Sequence, residues 1–304
     1  MPRYRSFAKL NLHLEVLGKR SDGYHELRTV FQTVGLWDEL VIERADTAEI
    51  TLRVSGPWSL PSGPENLCYR AAQAFLQRWG ESGEGVSIEL VKRIPPRAGL
   101  GGGSSNAASV LRAMAELWGV PGSLRELQPV AAQLGADVPF FLFGGAALAT
   151  GRGEQIEPLP DPPVAWEVWI LWPGWGLSTA EVFSRWRPGS RRQGGISAAF
   201  RNLLEKRQWS GEPADWFGDN DLEAAAFELS PRLKELYTDL LGGRARAVRM
   251  SGSGSTLFAL FDDVQTARAV RRVLPPEALW MPVPVLGRAA WREASGWRLL
   301  SGEE

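Results

Sequence analysis

The chain contains 304 residues, with 34 basic and 35 acidic side chains and a formal net charge of −1. This balance creates no overall field for nucleic acid or an anionic membrane surface, so small molecules are the expected partners. The length and the 44% hydrophobic content support a large core divided between two domains. Cys68 is the only cysteine, which excludes an intrachain disulfide and a cysteine-built metal site and favours a reducing cytoplasm.

We expect neither a membrane span nor a secretory signal. No apolar run approaches the roughly 20 residues that span a bilayer, and Lys9, Asn11 and His13 interrupt the first apolar stretch. No visible pattern encodes assembly, and we expect a monomer or a weak homodimer.

The first predicted strand carries a polar face. Residues 7–16 alternate between apolar and polar side chains, which is the period of a β-strand. Lys9, Asn11 and His13 point to one side of this strand. An exposed sheet face is the commoner reason for such a pattern, and one wall of a site is the alternative.

An aromatic ring and an imidazole follow a predicted turn at Asp22 and Gly23. Tyr24 and His25 could stack on a heterocycle and hydrogen-bond to it. A surface turn in which Tyr24 packs locally explains the same residues equally well. Beyond the turn, strands are predicted over residues 28–36, 39–44 and 49–54, and a helix over 66–79.

A glycine-rich segment, residues 95–106, lies between a strand predicted over 86–90 and a helix. Four glycines at positions 99 and 101–103 permit positive φ and close approach of another group to the backbone. Ser104, Ser105 and Asn106 add polar groups at a helix N-terminus, where unpaired N–H groups attract phosphate. A phosphate cradle is the favoured interpretation, and a capped strand-to-helix turn is the alternative.

The spacing of these glycines excludes two common nucleotide loops. No lysine follows the glycines, although a Walker A loop requires one. Ser104 occupies the last glycine position of the dinucleotide-binding pattern. The segment therefore indicates a nucleotide loop of another class.

A carboxylate, Asp137, stands among apolar residues after a helix predicted over 124–134 with Ser123 as its cap. A desolvated carboxylate needs a cation or hydrogen bonds. Asp137 is therefore either a general base or substrate-orienting carboxylate, or a turn residue that reaches solvent, and the local sequence leaves both open.

A proline-rich stretch at residues 158–163 is the predicted boundary between domains 1–160 and 161–304. Beyond it, Ser178 or Thr179 with Glu181 resembles a capped helix start, and a second glycine–serine loop at 251–255 could bend toward the first. Alternating strands and helices indicate a small α+β sandwich. A basic loop is predicted over 185–195, strands over 146–150, 155–159, 164–172, 245–249, 256–261 and 281–286, and helices over 197–206, 221–228, 231–240 and 264–273.

Five segments, taken in order, resemble a single family. They are residues 8–12 (AKLNL), 22–25 (DGYH), 95–108 (PPRAGLGGGSSNAA), 135–141 (GADVPFF) and 251–255 (SGSGS). Together they are similar to the GHMP kinases. The tripled glycine and the Asp-Gly-Tyr-His turn resemble those members that act on a cytidylyl-linked methylerythritol.

This resemblance implies an α+β fold of two domains. The N-terminal domain would be related to ribosomal protein S5 domain 2, and the C-terminal domain would be ferredoxin-like, with the site between them. The resemblance also implies ATP-dependent, Mg²⁺-assisted transfer of the γ-phosphoryl group to the 2-hydroxyl of the methylerythritol moiety, a step in non-mevalonate isoprenoid precursor synthesis.

The resemblance further implies roles for individual residues, although it assigns no metal ligand. Asp137 would be the base or orienting carboxylate, with Lys9 as the cation beside it. Tyr24 and Phe183 would hold the cytosine between them. The residues implied for ATP are Asn66, Lys92, Pro95, Gly99, Leu100, Gly101, Gly102, Gly103, Ser104 and Ser105, and those for the acceptor are Asn11, Tyr24, His25, Asp137, Thr179 and Phe183.

One position departs from the family pattern. Arg97 stands where the family loop usually carries glycine, and we expect its side chain to point outward because the remaining glycines suffice. Two rival interpretations are another small-molecule GHMP kinase and a catalytically silent nucleotide-binding regulator. The presence of Lys9 and Asp137 argues against the regulator.

Overall fold

The computed structural model describes residues 2–120, 124–189 and 197–297. The N-terminal half contains strands β1 (Arg3–Lys19), β2 (His25–Ala45), β3 (Ile50–Ser55), β4 (Gly85–Val91), β5 (Ala146–Gly151) and β6 (Gln155–Pro158), and helices α1 (Leu67–Trp79), α2 (Gly102–Trp118), α3 (Leu124–Leu134) and α4 (Phe140–Phe143). The C-terminal half contains strands β7 (Glu167–Trp172), β8 (Ala247–Met250), β9 (Leu257–Leu260) and β10 (Leu279–Pro284), and helices α5 (Thr179–Arg185), α6 (Ala198–Lys206), α7 (Glu223–Leu229), α8 (Pro231–Gly242), α9 (Val264–Val270) and α10 (Arg288–Ser295).

Two long strands organise the N-terminal half. The sheet order is β3-β4-β2-β5-β6, and β1 pairs antiparallel with β2. The sequence predicts two strands over 28–36 and 39–44, and this is wrong because β2 is continuous. The pairing passes from Ala8 opposite Val34 to Phe7 opposite Trp37, so the break in the pattern is a bulge within one strand.

The helix that follows the glycine segment is largely buried. Helix α2 packs against β1, β2 and α1, and even its Arg112 is buried, with the guanidinium donating to the carbonyl of Leu142 at 2.9 Å. The helix begins at Gly102, within the glycines themselves. The phosphate-binding candidate is therefore attached directly to the hydrophobic core.

The C-terminal sheet has the strand order β10-β7-β9-β8, and every neighbouring pair is antiparallel. Numbered within this half, the order is 4-1-3-2. Helices connect the first strand to the second and the third to the fourth, which is the ferredoxin-like arrangement. The predicted α+β class with a ferredoxin-like C-terminal domain is confirmed.

The end of the described chain returns to the N-terminal half. Val285 forms an isolated bridge with Val34, and α10 packs on β1. Trp297 stacks on Tyr4 with ring centroids 4.5 Å apart. The domain boundary at residue 160 stays a prediction. The chain from Val285 onward contacts the N-terminal half, although it follows that boundary in the sequence.

The structure contains short helical elements that the sequence pattern does not predict. Helix α4 and a 3₁₀ turn at Pro213–Trp216 have four residues each, too few to display a period. Helix α10 was also missed. The predicted cap Ser123 and residues 190–195 of the predicted basic loop lie outside the described residues. No helix among the described residues is long and apolar enough to cross a membrane.

Candidate active site

A cleft of about 1120 Å³ lies between the two halves of the molecule. Its walls come from β1, the turn after β1, the glycine loop (residues 95–104), the connection between α3 and α4, α5, and the second loop (residues 251–255). Segments from both ends of the chain therefore share one cavity.

The glycine loop is shaped for close approach of an anion to the backbone. Gly99 and Gly101 have φ values of 76° and 69°, in the left-handed region that favours glycine. Gly101 is the N-cap of α2 and provides no side-chain hydrogen bond to the helix. A Cβ on Gly102 would lie 2.7 Å from the Nζ atom of Lys92. A helix N-terminus without a side-chain cap leaves N–H groups available to an anion, which favours the cradle over a capped turn; phosphate binding itself stays a prediction.

The second loop bends onto the first, as the sequence suggested. Ser251 Oγ donates to the carbonyl of Gly99 at 2.8 Å, and the N–H of Thr256 donates to the carbonyl of Ala98 at 3.1 Å. A Cβ on Gly99 would lie 2.1 Å from the carbonyl oxygen of Ser251. The C-terminal domain therefore holds the glycine loop directly.

The polar face of β1 is covered by the rest of the molecule rather than exposed. Lys9 is only 3% exposed, and its Nζ atom lies 3.7 Å from Oδ2 of Asp137. The same ammonium donates to the carbonyl of Gly99 at 3.0 Å and to Oδ1 of Asn11. Asp137, with a third of its side chain exposed, faces the cleft beside a lysine.

Burial lowers the pKa of Lys9 from its usual value, and the nearby Asp137 carboxylate acts in the opposite direction. The Lys9 ammonium is therefore surrounded by oxygen atoms of the protein in place of bulk water. A buried lysine beside a carboxylate in a cleft is a typical functional arrangement.

Asn11 is fixed by neighbours on both sides. Its Nδ2 atom donates to Oγ1 of Thr29 at 2.8 Å, and Thr29 donates onward to the carbonyl of His13 at 2.5 Å. Its backbone N–H donates to Oγ of Ser251 at 3.3 Å. The Asn11 amide oxygen therefore has a preset direction, toward Lys9.

Aromatic side chains line the other end of the cleft. Tyr24 is 57% exposed, and the guanidinium of Arg152 lies 5.0 Å from the centre of its ring. Phe183 stacks on His25 with centroids 4.9 Å apart. The structure thus brings Tyr24, His25 and Phe183 to one cavity, whereas the sandwiching of a base between Tyr24 and Phe183 stays a prediction.

His25 and Thr179 complete this end. Burial, followed by the charge of Lys19, lowers the pKa of His25, which favours a neutral imidazole with one donor and one acceptor. Ser178 is the N-cap of α5, which places Thr179 at the first helical position. Its hydroxyl lies 2.9 Å from Oγ of Ser253 in the second loop.

Four residues predicted for the nucleotide do not line the cleft. Ser105 is buried and donates its hydroxyl to the carbonyl of Phe7 at 2.7 Å, and Lys92 is paired with the buried Asp38. Asn66 caps α1 with its side chain. Lys92, Leu100 and Ser105 are buried, and any contact with nucleotide stays a prediction for these three residues and for Asn66.

Sequence reasoning missed two basic residues of the cleft lining, Lys19 and Arg152. Arg97 is also a lining residue, and the expectation that its side chain points away from bound phosphate stays a prediction. Arg97 has a φ of 52°, which explains why a glycine would suit this position. Asp137 is the single carboxylate among the described lining residues. The cleft therefore has an excess of positive charge, as phosphate-bearing ligands require. No local motif distinguishes these cations from surface residues.

The chain matches two family models. Residues 66–145 match the GHMP kinases N terminal domain, and residues 198–279 match the GHMP kinases C terminal model. A homoserine kinase structure from Cytophaga hutchinsonii, 19% identical with a TM-score of 0.68, covers 94% of this chain and 95% of that one, and it shows the shared fold.

More similar relatives carry a single name. The 4-diphosphocytidyl-2-C-methyl-D-erythritol kinase of Pelotomaculum thermopropionicum is 42% identical over 266 residues, 86% of this chain and 90% of the relative. The kinase of the same name from Solibacter usitatus is 41% identical over 85% of this chain and 81% of the relative. A crystal structure of 4-(cytidine 5'-diphospho)-2C-methyl-D-erythritol kinase is 38% identical, with a TM-score of 0.75 and coverage of 94% and 99%. The chain therefore belongs to the 4-diphosphocytidyl-2-C-methyl-D-erythritol kinase family of the GHMP kinases.

Proposed function

We propose that this chain catalyses ATP-dependent phosphorylation of the 2-hydroxyl of 4-diphosphocytidyl-2-C-methyl-D-erythritol, in non-mevalonate isoprenoid precursor synthesis. The observation that carries the proposal is the position of Lys9 and Asp137. They lie 3.7 Å apart in a cleft that is also lined by the glycine loop and by aromatic side chains, in a chain 42% identical to a kinase of that name.

The glycine loop and the N-terminus of α2 would hold the ATP phosphates. Gly99 and Gly101 have positive φ and α2 begins at Gly102, so this segment would offer backbone N–H groups and the positive end of the α2 dipole to the phosphates. Phosphoryl transfer depends mainly on positioning and on stabilisation of charge. This wall supplies both without a Walker lysine.

Asp137 would act on the acceptor. The 2-hydroxyl oxygen forms a bond to the γ-phosphorus while the bond to the β,γ-bridging oxygen breaks, and the hydroxyl proton passes to the Asp137 carboxylate. Lys9, 3.7 Å from that carboxylate, would stabilise negative charge on the transferring group. ADP and the phosphomonoester are the products.

Mg²⁺ is expected to accompany ATP and to neutralise charge on its phosphates. Because Asp137 is the single carboxylate in the described lining, phosphate oxygens and water would supply most of the metal ligands.

The aromatic end of the cleft would select the cytidylyl group. Tyr24 and Phe183 present ring faces for stacking on cytosine, and a neutral His25 can donate one hydrogen bond and accept another. Asn11, beside Lys9, and Thr179, beside Ser253, also line the cleft and would contact the erythritol part. We further expect a cytoplasmic enzyme that is a monomer or a weak homodimer.

A coupled ADP-release assay tests the proposal. The enzyme with Mg²⁺ and ATP is given the cytidylyl substrate, mevalonate, homoserine or no acceptor. Of these acceptors, we expect only the cytidylyl substrate to cause ADP release, and we expect CDP to inhibit that release. Release with another alcohol would identify a different GHMP kinase, and no acceptor-dependent release would favour a nucleotide-binding regulator.

A further inference from the structure

The buried carboxylate of Asp38, which lies outside the cleft, accepts hydrogen bonds from residues on both sides of the glycine loop. Asp38 is fully buried on β2, and it is not among the residues that line the cleft. Its two oxygen atoms accept hydrogen bonds from residues before the loop and from a residue after it. We infer that Asp38 is a positioning residue that holds the glycine loop in its nucleotide-binding shape.

The entrance to the loop is bound through the backbone. Oδ1 of Asp38 accepts the N–H of Arg93 at 2.6 Å and the N–H of Ile94 at 2.8 Å. Oδ2 pairs with the ammonium of Lys92, a buried residue directly after β4. Three successive residues before Pro95 are therefore fixed to a single side chain.

The exit from the loop is bound through a side chain. Nδ2 of Asn106, in the first turns of α2, donates to Oδ2 of Asp38 at 2.8 Å and to Oγ of Ser6 at 2.9 Å. Ser6 in turn donates to Oγ of Ser105 at 2.7 Å. All of these side chains are at least 98% buried, so water does not compete with the hydrogen bonds.

The two ends are also packed together. A Cβ on Gly102 would lie 2.7 Å from Nζ of Lys92 and 2.9 Å from Cγ2 of Ile94. The residues that Asp38 holds at the entrance therefore lie directly against the first residue of α2. Without the hydrogen bonds to Asp38, the two ends of the glycine loop could move relative to each other. The backbone N–H groups that would bind phosphate would then lose their fixed arrangement.

This inference rests on the proposed function, because it assumes that the loop binds ATP. It predicts an effect on nucleotide binding that exceeds the effect on acceptor binding. Asp38→Asn would turn an amide N–H toward Lys92 and Asn106, which are themselves donors, and would leave a buried ammonium without its counter-ion. Asn106→Ala removes the exit contact alone and leaves the Lys92 pair in place.

Binding of a non-hydrolysable ATP analogue with Mg²⁺, measured by calorimetry, tests the inference together with the KM for each substrate. We expect Asp38→Asn to raise the Kd of the analogue about tenfold or more and Asn106→Ala about threefold or more, since a loosened loop loses preorganisation. The KM for the cytidylyl substrate should stay within about twofold, because distant sites are independent.

Gln32→Ala is the matched control. Gln32 is fully buried and donates to the carbonyls of Leu286, Gly145 and Thr33, so its loss destabilises the fold without touching the glycine loop. If Asn106→Ala weakens analogue binding no more than this control, at similar loss of thermal stability, the inference is overturned even when Asp38→Asn fails to fold. If the wild-type protein does not bind the analogue, the proposed function itself is wrong.

Discussion

The two ends of the cleft are built in opposite ways. The nucleotide end is a stretch of backbone, and the side chains behind it, including Ser6, Asp38 and Asn106, are almost completely buried. The acceptor end is a set of side chains, with Tyr24 57% exposed and Thr179 also at the surface. Under the proposed function, phosphate would be recognised by main-chain groups whose direction the fold fixes, whereas the acceptor would be recognised by side chains that could change without disturbing the core.

This difference assigns different consequences to substitutions at the two ends. Changes behind the glycine loop should alter stability and nucleotide binding together. Changes at the aromatic end should alter acceptor binding alone. Lys9 and Asp137, which lie where the two ends meet, should affect turnover more than either binding step.

Asp137→Asn should have the largest effect. Removing the carboxylate that we propose accepts the hydroxyl proton is expected to lower kcat by about 10² to 10⁴, equivalent to roughly 3–5.5 kcal/mol of barrier. Steady-state kinetics check this, with circular dichroism to establish folding. A folded Asp137→Asn enzyme with near-normal kcat would remove Asp137 from the chemistry.

Lys9→Met should separate activity from stability. We expect kcat to fall by about 10² to 10³, the range for loss of one electrostatic contact in an active site. The free energy of unfolding at pH 7 should change much less than the activation barrier, because the cost of burying the ammonium, which lowers the pKa of Lys9, opposes the loss of its hydrogen bonds to Asn11 and Gly99.

The pH dependence of unfolding sharpens the test of Lys9. Between the lowered folded pKa and the ordinary value of 10.5, the unfolded chain binds more protons at Lys9 than the folded chain. The free energy of unfolding of the wild-type protein should therefore contain a contribution from Lys9 that increases with pH through that window. Lys9→Met should lack this increase. Denaturant unfolding at several pH values measures this increase. Identical profiles for the wild-type protein and Lys9→Met would contradict a lowered pKa of Lys9 in the folded state.

Tyr24→Ala tests the acceptor end. Loss of a stacked base contact, worth about 1–3 kcal/mol, should raise the KM for the cytidylyl substrate about tenfold. Tyr24→Phe keeps the ring and serves as the control, with little change expected. An equal rise in the KM for ATP would contradict the prediction that the aromatic end affects acceptor binding alone.

Arg97→Gly should have the smallest effect. The left-handed φ of 52° at Arg97 strains a side-chain-bearing residue, so glycine is expected to raise the free energy of unfolding by up to about 1 kcal/mol. Because Arg97 is expected to point away from the phosphates, the Kd for ATP should change less than about threefold. A tenfold or greater loss of ATP affinity would instead make Arg97 a phosphate contact.

The sequence predicts the two ends unequally well. Glycine spacing locates the nucleotide end, because positive φ and close approach leave a local trace at Gly99 and Gly101. The pairing of Lys9 with Asp137, 128 positions away, follows from the resemblance and not from any local pattern. No local pattern predicts the burial of Asp38 or its contacts with the glycine loop, since it lies in an alternating strand where a polar residue normally faces solvent.

The measurement that tests the account most directly is proton-coupled ³¹P NMR of the enzyme with Mg²⁺, ATP and 4-diphosphocytidyl-2-C-methyl-D-erythritol. Carbon 2 of the methylerythritol carries a methyl group and no hydrogen, so phosphorylation there should give a new phosphomonoester resonance without proton coupling, matched to the loss of ATP. A resonance split by neighbouring protons would place the phosphate on another hydroxyl. Formation of inorganic phosphate alone would contradict phosphoryl transfer to the acceptor.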